Sequence, residues 1–200
     1  RQMSQRIVEH LRNQLKAPVF RVEEDLPIPI GRQLDLEEIV GQDRLLNAAA
    51  AYDVLHQACV VVDAGTAMTV DFVDGEGTYH GGAIAPGAKM MLDALHGHTD
   101  QLPQVGWEKP LEPIGHNTAE AMRSGVFHGM RGMVRELVEQ YAQISGAYPI
   151  VVVTGGDAQL LFDDYDLVDR IVPELVLRGI ESTVRVAMQS DSSPLGGATN

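Results

Sequence analysis

The stretch from Cys59 to Gly87 constrains the fold most, because it holds strand patterns separated by glycine-containing turns. It opens with three consecutive valines, 60–62, and an uninterrupted β-branched run is typical of a strand covered on both faces. The next run alternates in polarity, and the turn 74–77 after it is typical of an antiparallel hairpin. The sequence therefore predicts three strands, at Ala58–Asp63, Met68–Val73 and Thr78–Ile84.

Asp63 ends the first of these strands, and Gly65 and Thr66 follow it in a turn. Gly65 lets the backbone turn where a side chain would obstruct it. The amides of such a turn and the Thr66 hydroxyl can face an anion, so the pattern indicates a phosphate site. A lone Asp-x-Gly-Thr also fits an ordinary hairpin with an Asx-type turn, and these residues alone leave both interpretations open.

A second fully apolar strand is predicted at Ile150–Val153, and it ends in a glycine-rich turn, 154–157, before a helix. The order of strand, glycine-rich turn and helix therefore occurs twice, as in α/β folds. Apolar residues spaced by three and four predict the helices, and Pro18 ends the first one. The other predicted elements are helices at 2–16, Leu36–Leu55, Lys89–His96 and 117–144, a strand-like segment at 19–22, an extended connector at Leu26–Gly31 and a frayed tail at Gln189–Asn200.

The acidic composition limits the partners that the chain can have. Its formal net charge of −13 repels nucleic-acid backbones and anionic membranes at long range, so no nucleic-acid partner is expected. No apolar run approaches the roughly 18 residues that a membrane helix needs, and no signal-peptide segment opens the chain. We therefore expect no membrane partner and a cytoplasmic location.

Cysteine and histidine give no sign of a metal site. The only cysteine, Cys59, lies in an apolar strand and is interpreted as a buried thiol. His96 and His98 are two residues apart, which is wrong for one helical face. His80 and His116 have no partner at a recognised ligand spacing. No zinc site is expected.

Six motifs occur in one order between Gly41 and Gly179. They are Gly41-Gln42-Asp43-Arg44, Asp63-Ala64-Gly65-Thr66-Ala67, Gly81-Gly82-Ala83-Ile84-Ala85-Pro86-Gly87, Leu102-Pro103, Gly115-His116-Asn117-Thr118 and Thr154-Gly155-Gly156-Asp157. In this respect the chain resembles the type III pantothenate kinases. The resemblance implies an actin-like ATPase (ribonuclease H-like) α/β fold, in which two related domains hold a nucleotide in the cleft between them.

The same resemblance implies an activity. Type III pantothenate kinases pass the γ-phosphoryl group of ATP to the primary hydroxyl of pantothenate, the first step of coenzyme A biosynthesis. We therefore expect ATP, Mg²⁺ and a monovalent cation (K⁺ or NH₄⁺) as cofactors, pantothenate as substrate and a homodimer as the assembly.

In similar enzymes, the segment that matches Gly41 to Arg44 binds pantothenate, and its aspartate accepts the proton of the hydroxyl. The resemblance thus assigns Gly41, Gln42, Asp43 and Arg44 to the substrate and makes Asp43 the candidate base. The Arg44 guanidinium would hold the pantothenate carboxylate. Without the resemblance, Asp43 and Arg44 would be interpreted as a solvated surface pair near a helix N-terminus.

The Asp63 turn is assigned in the same way. Asp63 matches the position that ligates potassium, and a carboxylate that ends a buried strand needs a cation or several donors. Gly65 and Thr66 match ATP contacts. Asp43 and Asp63 are therefore expected to converge across one crevice.

Two further motifs keep alternative interpretations. Gly155 and Gly156 match ATP contacts, but they also fit a plain strand-to-helix turn. Thr118 matches a pantothenate contact, although Asn117 and Thr118 also fit a helix N-cap in an approximate capping box with Glu120.

Three segments are expected: a partial first domain at 1–57, a nearly complete second domain at 58–188 and a flexible tail at 189–200. Full-length relatives begin with an Asp-x-Gly-Asn-Thr loop around the ATP phosphates, and the sequence shows none before Gly41. The chain is thus either a fragment or has lost this element, and its activity alone is an open question. The alternatives are a non-catalytic binding or regulatory relative and another small-molecule kinase of the superfamily. Residues 1–57 are expected to be poorly ordered or paired with a neighbour.

Overall fold

The computed structural model describes residues 2–15, 17–35 and 40–191. The described residues form α1 (Gln2–Gln14), β1 (Gly31–Arg32), α2 (Gln42–Leu55), β2 (Cys59–Ala64), β3 (Ala67–Val73), β4 (Thr78–Pro86), α3 (Ala88–Gly97), α4 (Thr118–Ser145), β5 (Ile150–Thr154), α5 (Ala158–Phe162), β6 (Arg170–Ile171) and α6 (Leu175–Asp191). The four predicted strands are confirmed as β2, β3, β4 and β5. No helix in these ranges is long and apolar enough to cross a membrane.

The described strands form one sheet in the order β1-β4-β3-β2-β5-β6. β2 pairs antiparallel with β3 and parallel with β5, so it lies at the centre of the sheet. β3 and β4 form the predicted antiparallel hairpin, and the two-residue strands β1 and β6 add parallel at the edges. The mixed sheet with helices confirms the predicted α/β class.

β2 is covered on both faces, which explains its uninterrupted valines. Val60 and Val62 belong to the apolar cluster shared with α3, α4 and α5, whereas Cys59 and Val61 belong to the cluster shared with α2 and α6. Successive residues of a strand point to opposite faces, so a doubly covered strand needs an apolar side chain at each position. The Cys59 thiol is buried as predicted, and burial raises its pKa to about 12.

α2 and α6 approach each other closely on the second face of the sheet. The side chains of 48–51, four alanines in α2, are all buried. In α6, a Cβ added at Gly179 would lie 2.3 Å from the backbone oxygen of Leu46. Only glycine fits at this contact, and it positions the turn of α2 that carries Arg44 and Asn47.

The segment 19–22, predicted to be strand-like, is not a strand, and that prediction is wrong. Val22 forms only an isolated bridge with Leu26. The bridge is parallel, and a turn at 23–25 lies between its two residues, where Glu23 has a φ of 68°. The backbone amide of Arg21 donates to the Asp25 side chain at 2.7 Å, and this local hydrogen bond favours a turn over an extended segment.

The largest differences between predicted and observed boundaries concern α2 and the predicted tail. Helix α2 begins at Gln42 rather than Leu36, and positions 36–39 lie outside the described residues. Helix α6 continues through Asp191, into the predicted tail. The rest of that tail, 192–200, also lies outside the described residues.

The first predicted helix is confirmed as α1. Ile7 and Leu11 of α1 are exposed, as is Leu15 just after the helix, and Val8 is partly buried. The division into domains at 57 and 188 stays a prediction, as does the poor order or pairing expected of residues 1–57.

Replacing Gly179 with alanine is expected to destabilise the protein, because the new methyl group would overlap the backbone of Leu46. Overpacking of this kind costs about 1–3 kcal/mol. The matched control is Gly132→Ala in α4, where an added Cβ meets no atom within 4 Å. There the higher helix propensity of alanine should add roughly 0.5–1 kcal/mol of stability. Denaturant unfolding measures both, and equal stability of the two variants would contradict the tight α2–α6 contact.

Candidate functional site

The parallel pairing of β2 and β5 brings the two glycine-containing turns together, because Asp63 lies opposite Thr154 at the strand ends. Gly155 has a φ of 98°, and a Cβ there would lie 2.4 Å from the Ala64 oxygen and 2.5 Å from Asp63 Oδ1. Two residues further along the same turn, the backbone amide of Asp157 donates a hydrogen bond to the Ala64 oxygen at 2.9 Å. The backbone of the second turn therefore lies directly against the Asp63 carboxylate.

The turn after β2 also touches the start of α3. The amide of Gly87, the residue before α3, donates to the Thr66 oxygen at 3.0 Å, and a Cβ at Gly87 would lie 2.1 Å from the Gly65 oxygen. The Thr66 side chain is exposed. Free amides at a helix N-terminus attract anions, so this end of the sheet offers backbone donors and one hydroxyl to a phosphate group.

Asp63 is a half-buried carboxylate with one described side-chain donor, the Asn47 amide nitrogen, at 3.0 Å from Oδ2. Burial raises the pKa of Asp63, the Asn47 hydrogen bond opposes that rise, and the charges of Asp43 and Asp71 add to it. The charged form of Asp63 is thus disfavoured as it stands. A cation bound beside it would reverse this preference.

Asn47 is a site residue that sequence reasoning missed. Its side chain is 2% exposed, and its Oδ1 has no hydrogen-bond partner among the described residues. Asn47 lies four residues after Asp43, so both occupy one face of α2, and that spacing was the available signal. A carboxylate and an amide oxygen are suitable ligands for a hard cation, so Asp63 and Asn47 fit a potassium ion.

Asp43 lies in the first turn of α2, and its side chain is exposed. Its Oδ1 accepts the amide of Arg44 at 2.9 Å. A Cβ at Gly41 would lie 2.4 Å from that oxygen, so glycine at 41 makes room for the carboxylate. The charge of Asp43 adds to the rise in the pKa of Asp63, so the two carboxylates lie within electrostatic range of each other. Their convergence across one crevice stays a prediction.

Gln42, also assigned to the substrate, has a different contact. Its side-chain amide donates to the Val22 oxygen at 3.3 Å, and so it joins α2 to the loop before β1.

Arg44 is not a solvated surface residue, because its side chain is only 14% exposed. Its Nε lies 3.1 Å from each carboxylate oxygen of Asp71, and its Nη2 also contacts Oδ1. Burial lowers the pKa of Arg44, but the hydrogen bond and charge of Asp71 outweigh it and raise the pKa overall. Asp71, in the middle of β3, is the second site residue that sequence reasoning missed.

Thr118 is the first residue of α4, and its side chain is exposed. The expected capping box is confirmed: Asn117 Oδ1 accepts the Glu120 amide at 3.0 Å, and Glu120 Oε2 accepts the His116 amide at 2.8 Å. These hydrogen bonds lower the pKa of Glu120, and the bond from the His116 amide has the largest effect. None of the described contacts links Thr118 to Asp43 or Asp63, so the structure does not bring it into their cluster.

The last predicted residue, Gly156, is exposed, and a Cβ there would meet no atom within 4 Å. Steric space therefore requires a glycine at 155 but not at 156. The assignment of both residues to ATP stays a prediction.

Comparison with known proteins shows what the chain is similar to. Residues 1–140 match the family model described as type III pantothenate kinase. The chain is 42% identical over 163 residues to the type III pantothenate kinase of Rhodospirillum rubrum, which covers 82% of this chain and 63% of that protein. It is 38% identical over 175 residues to the enzyme of that name from Akkermansia muciniphila, covering 88% and 72%. The chain thus spans about two thirds of the length of these relatives.

A solved structure shares the fold. A protein assigned to the Baf family of transcriptional activators, from Campylobacter jejuni, superposes with a TM-score of 0.62 at 23% identity. The match covers 90% of this chain and 80% of that one. It supports the predicted fold class independently of close sequence similarity.

The raised pKa of Asp63 predicts how stability depends on pH. An acid with a raised folded-state pKa keeps its proton where the unfolded chain has lost it, so stability falls as the pH rises above the usual value of 3.8. Asp63→Asn removes this loss and should make the protein more stable than the parent at neutral pH in a buffer without K⁺ or NH₄⁺. The gap should shrink as the pH falls toward 3.8.

Denaturant unfolding at several pH values measures this gap. The control is Asp166→Asn, which changes an exposed aspartate outside the cluster and should follow the parent throughout. A constant or reversed difference between Asp63→Asn and the parent would show that the Asp63 carboxylate is not destabilised by its surroundings.

Proposed function

Because the chain belongs to the type III pantothenate kinase family, we propose that the protein transfers the γ-phosphoryl group of ATP to the primary hydroxyl of pantothenate. The products are 4′-phosphopantothenate and ADP, and the reaction is the first step of coenzyme A biosynthesis. The observation that carries the proposal is the position of Asp43 at the start of α2, close enough to Asp63 for its charge to raise the pKa of that residue. The charge of the exposed Asp43 carboxylate thus acts on the half-buried Asp63 carboxylate, which lies beside the glycine turns.

Asp43 is the proposed base. As the pantothenate hydroxyl oxygen bonds to the γ-phosphorus, its O–H bond breaks and the proton moves to the Asp43 carboxylate, while the bond from phosphorus to the ADP oxygen breaks. The exposure of Asp43 supports this role, since a substrate hydroxyl must reach it. The glycine at 41 supports it as well, because any larger residue would crowd the carboxylate.

The substrate carboxylate is assigned to Arg44. The guanidinium presents five N–H groups, and Asp71 uses only the side formed by Nε and Nη2. Among the described residues, none is recorded as an acceptor for the outer pair of N–H groups, on Nη1 and Nη2, and this pair would bind the substrate carboxylate. Such a charge-assisted pair would fix the pantothenate chain with its hydroxyl at a set distance from Asp43.

ATP is assigned to the two glycine turns, with Gly65, Thr66, Gly155 and Gly156 as its contacts. The start of α3, which touches the first turn, supports this assignment because its amides favour negative charge. Mg²⁺ would bind mainly to the phosphate oxygens and neutralise the charge that develops during transfer.

A monovalent cation, K⁺ or NH₄⁺, is assigned to Asp63 with Asn47 Oδ1 as a second ligand. The half-buried Asp63 carboxylate and the unpartnered amide oxygen of Asn47 support it. The cation would keep Asp63 ionised and offset its repulsion of the ATP phosphates.

We propose that the protein is a homodimer and that Thr118 binds pantothenate, and the two assignments fit each other. An apolar groove between α3 and the first turns of α4 includes Met90 and Leu95, which are 46% and 37% exposed. The groove also includes Ala121, three residues after Thr118. A second copy seated on this groove would bury that surface and bring groups near Thr118.

We place the enzyme in the cytoplasm, where its substrates are made and used.

Asp43→Asn in the full gene product that contains this chain is expected to lower kcat by about 10²–10⁴-fold, because the amide cannot accept the hydroxyl proton. The change should leave the free energy of unfolding within about 0.5 kcal/mol, since the side chain is exposed. A coupled ADP-release assay with pantothenate, ATP, Mg²⁺ and K⁺ measures kcat. If the parent shows no more turnover than Asp43→Asn, the result favours a non-catalytic relative of the same fold.

Potassium is expected to stabilise the parent protein and not the Asp63→Asn variant. The measurement is the thermal unfolding midpoint in KCl against NaCl at equal ionic strength, which needs no catalytic turnover. Asp166→Asn, exposed and outside the cluster, should respond to potassium as the parent does. An equal potassium response in Asp63→Asn would place the cation elsewhere.

A further inference from the structure

Asp71 is a buried carboxylate to which the proposed reaction gives no role. It lies in the middle of β3, opposite Val61 of β2, and only 2% of the residue is exposed. Burial of a carboxylate is costly unless it is paired and hydrogen-bonded. A buried ion pair is seldom the most stable choice for a core, so a function is the stronger explanation for its presence.

Arg44 forms the ion pair with Asp71. Nε of Arg44 lies 3.1 Å from both carboxylate oxygens, and Nη2 contacts Oδ1 as well. Two N–H groups on one side of a planar guanidinium fix its rotation as well as its position. The side chain of Arg44 can then present its remaining N–H pair in only one direction.

The carboxylate of Asp71 is itself held from two sides. The Tyr79 hydroxyl, in a fully buried side chain, donates to Oδ1 at 2.8 Å. Gly82 lies opposite Asp71 in β4, and a Cβ there would lie 2.9 Å from Oδ1 and 2.0 Å from the Val70 oxygen. Asp71 therefore has little room to move. Because the acceptor is fixed, the Arg44 guanidinium that donates to it is fixed as well.

The same contacts reach the proposed base. Asp43 precedes Arg44, and its Oδ1 accepts the Arg44 amide at 2.9 Å. One buried pair thus sets the first turn of α2 against β3, with the base on its exposed side and the guanidinium on its inner side.

We propose that Asp71, held by Tyr79, is a positioning residue that aims the outer N–H pair of Arg44 at the carboxylate of the acid substrate. The inference rests on the proposed kinase function. It also assigns substrate specificity, since an arginine aimed in this way forms stronger, charge-assisted hydrogen bonds with a carboxylate than with a neutral group. Lysine at position 44 would not serve, because a single ammonium group cannot bind Asp71 side-on and a substrate carboxylate end-on at once.

The test compares two substrates in the full gene product: pantothenate, and pantothenol, in which an alcohol replaces the carboxylate. Asp71→Asn should raise the KM for pantothenate by between about 10- and 100-fold, the range expected when charge-assisted hydrogen bonds lose their alignment. It should leave the KM for pantothenol, and kcat with either substrate, within about threefold of the parent. A variant that merely destabilised the fold would affect both substrates alike.

Tyr79→Phe keeps the test possible if Asp71→Asn does not fold. It removes one hydrogen bond to Asp71 and should raise the KM for pantothenate by roughly fivefold, again with no change for pantothenol. Tyr52→Phe is the matched control, because the Tyr52 hydroxyl also donates one hydrogen bond, to the Gly75 oxygen at 3.1 Å, but lies outside the cluster. It should leave both KM values unchanged.

A double-mutant cycle between Asp71→Asn and Arg44→Gln separates action through Arg44 from a direct effect on the substrate. The double variant should bind pantothenate no more weakly than Arg44→Gln alone, because Asp71 acts only through Arg44. Additive effects, or a pantothenate KM in Asp71→Asn equal to that of the parent, would overturn the proposal.

Titration calorimetry with pantothenate distinguishes the two ways in which the experiment can fail. If the parent neither phosphorylates nor binds pantothenate, the proposed function is wrong, and this inference with it. If the parent does both and Asp71→Asn binds pantothenate as tightly as the parent, the function stands and only the positioning role is overturned.

Discussion

The position of β2 between β3 and β5, with helices on both faces, is the constraint on which the site depends. A strand covered on both sides has no place for a polar side chain until it leaves the core. In β2 this point is Asp63, the residue that pairs with the last residue of β5. The parallel register with β5 then fixes which glycine turn lies against the carboxylate. The same strand that builds the core thereby sets the site geometry.

The second constraint on the site is the repulsion between negative charges. The charges of Asp43 and Asp71 both act on Asp63, in a chain with a net charge of −13. The substrates proposed for the site are anions as well. Arg44 neutralises only the buried member, Asp71, and the structure leaves Asp63 with an amide donor and a raised pKa. The cations proposed to accompany the substrates would offset this negative charge.

Local patterns could be read from the sequence, and contacts between distant residues could not. The apolar run of β2 and the capping box at Asn117 were predicted because each depends on neighbours within a few residues. The Arg44–Asp71 pair joins residues 27 positions apart, and no spacing rule connects a helix residue to a strand residue at that separation. The wrong strand prediction at 19–22 is an exception, because the Arg21–Asp25 hydrogen bond that favours a turn there joins residues only four positions apart.

Asn47 shows the intermediate case. It lies four residues after Asp43, a spacing visible in the sequence, yet its partner Asp63 is 16 residues away, on another element. The helix face could therefore have been predicted to be polar, whereas the contact depended on how α2 sits on the sheet. The six motifs were enough to identify the family, although they do not show which residues contact each other.

The support of the site extends beyond the residues that surround it. Arg44 and Asn47 belong to the turn of α2 that also contains Leu46, whose backbone lies against Gly179 of α6. Any displacement of α6 at that point would shift Leu46 and, with it, both polar side chains. Hydrogen bonds to Asp63 and Asp71 tolerate only a few tenths of an ångström of such movement before they weaken. The close contact between α2 and α6 is therefore part of what holds Asp43, Arg44 and Asn47 in register.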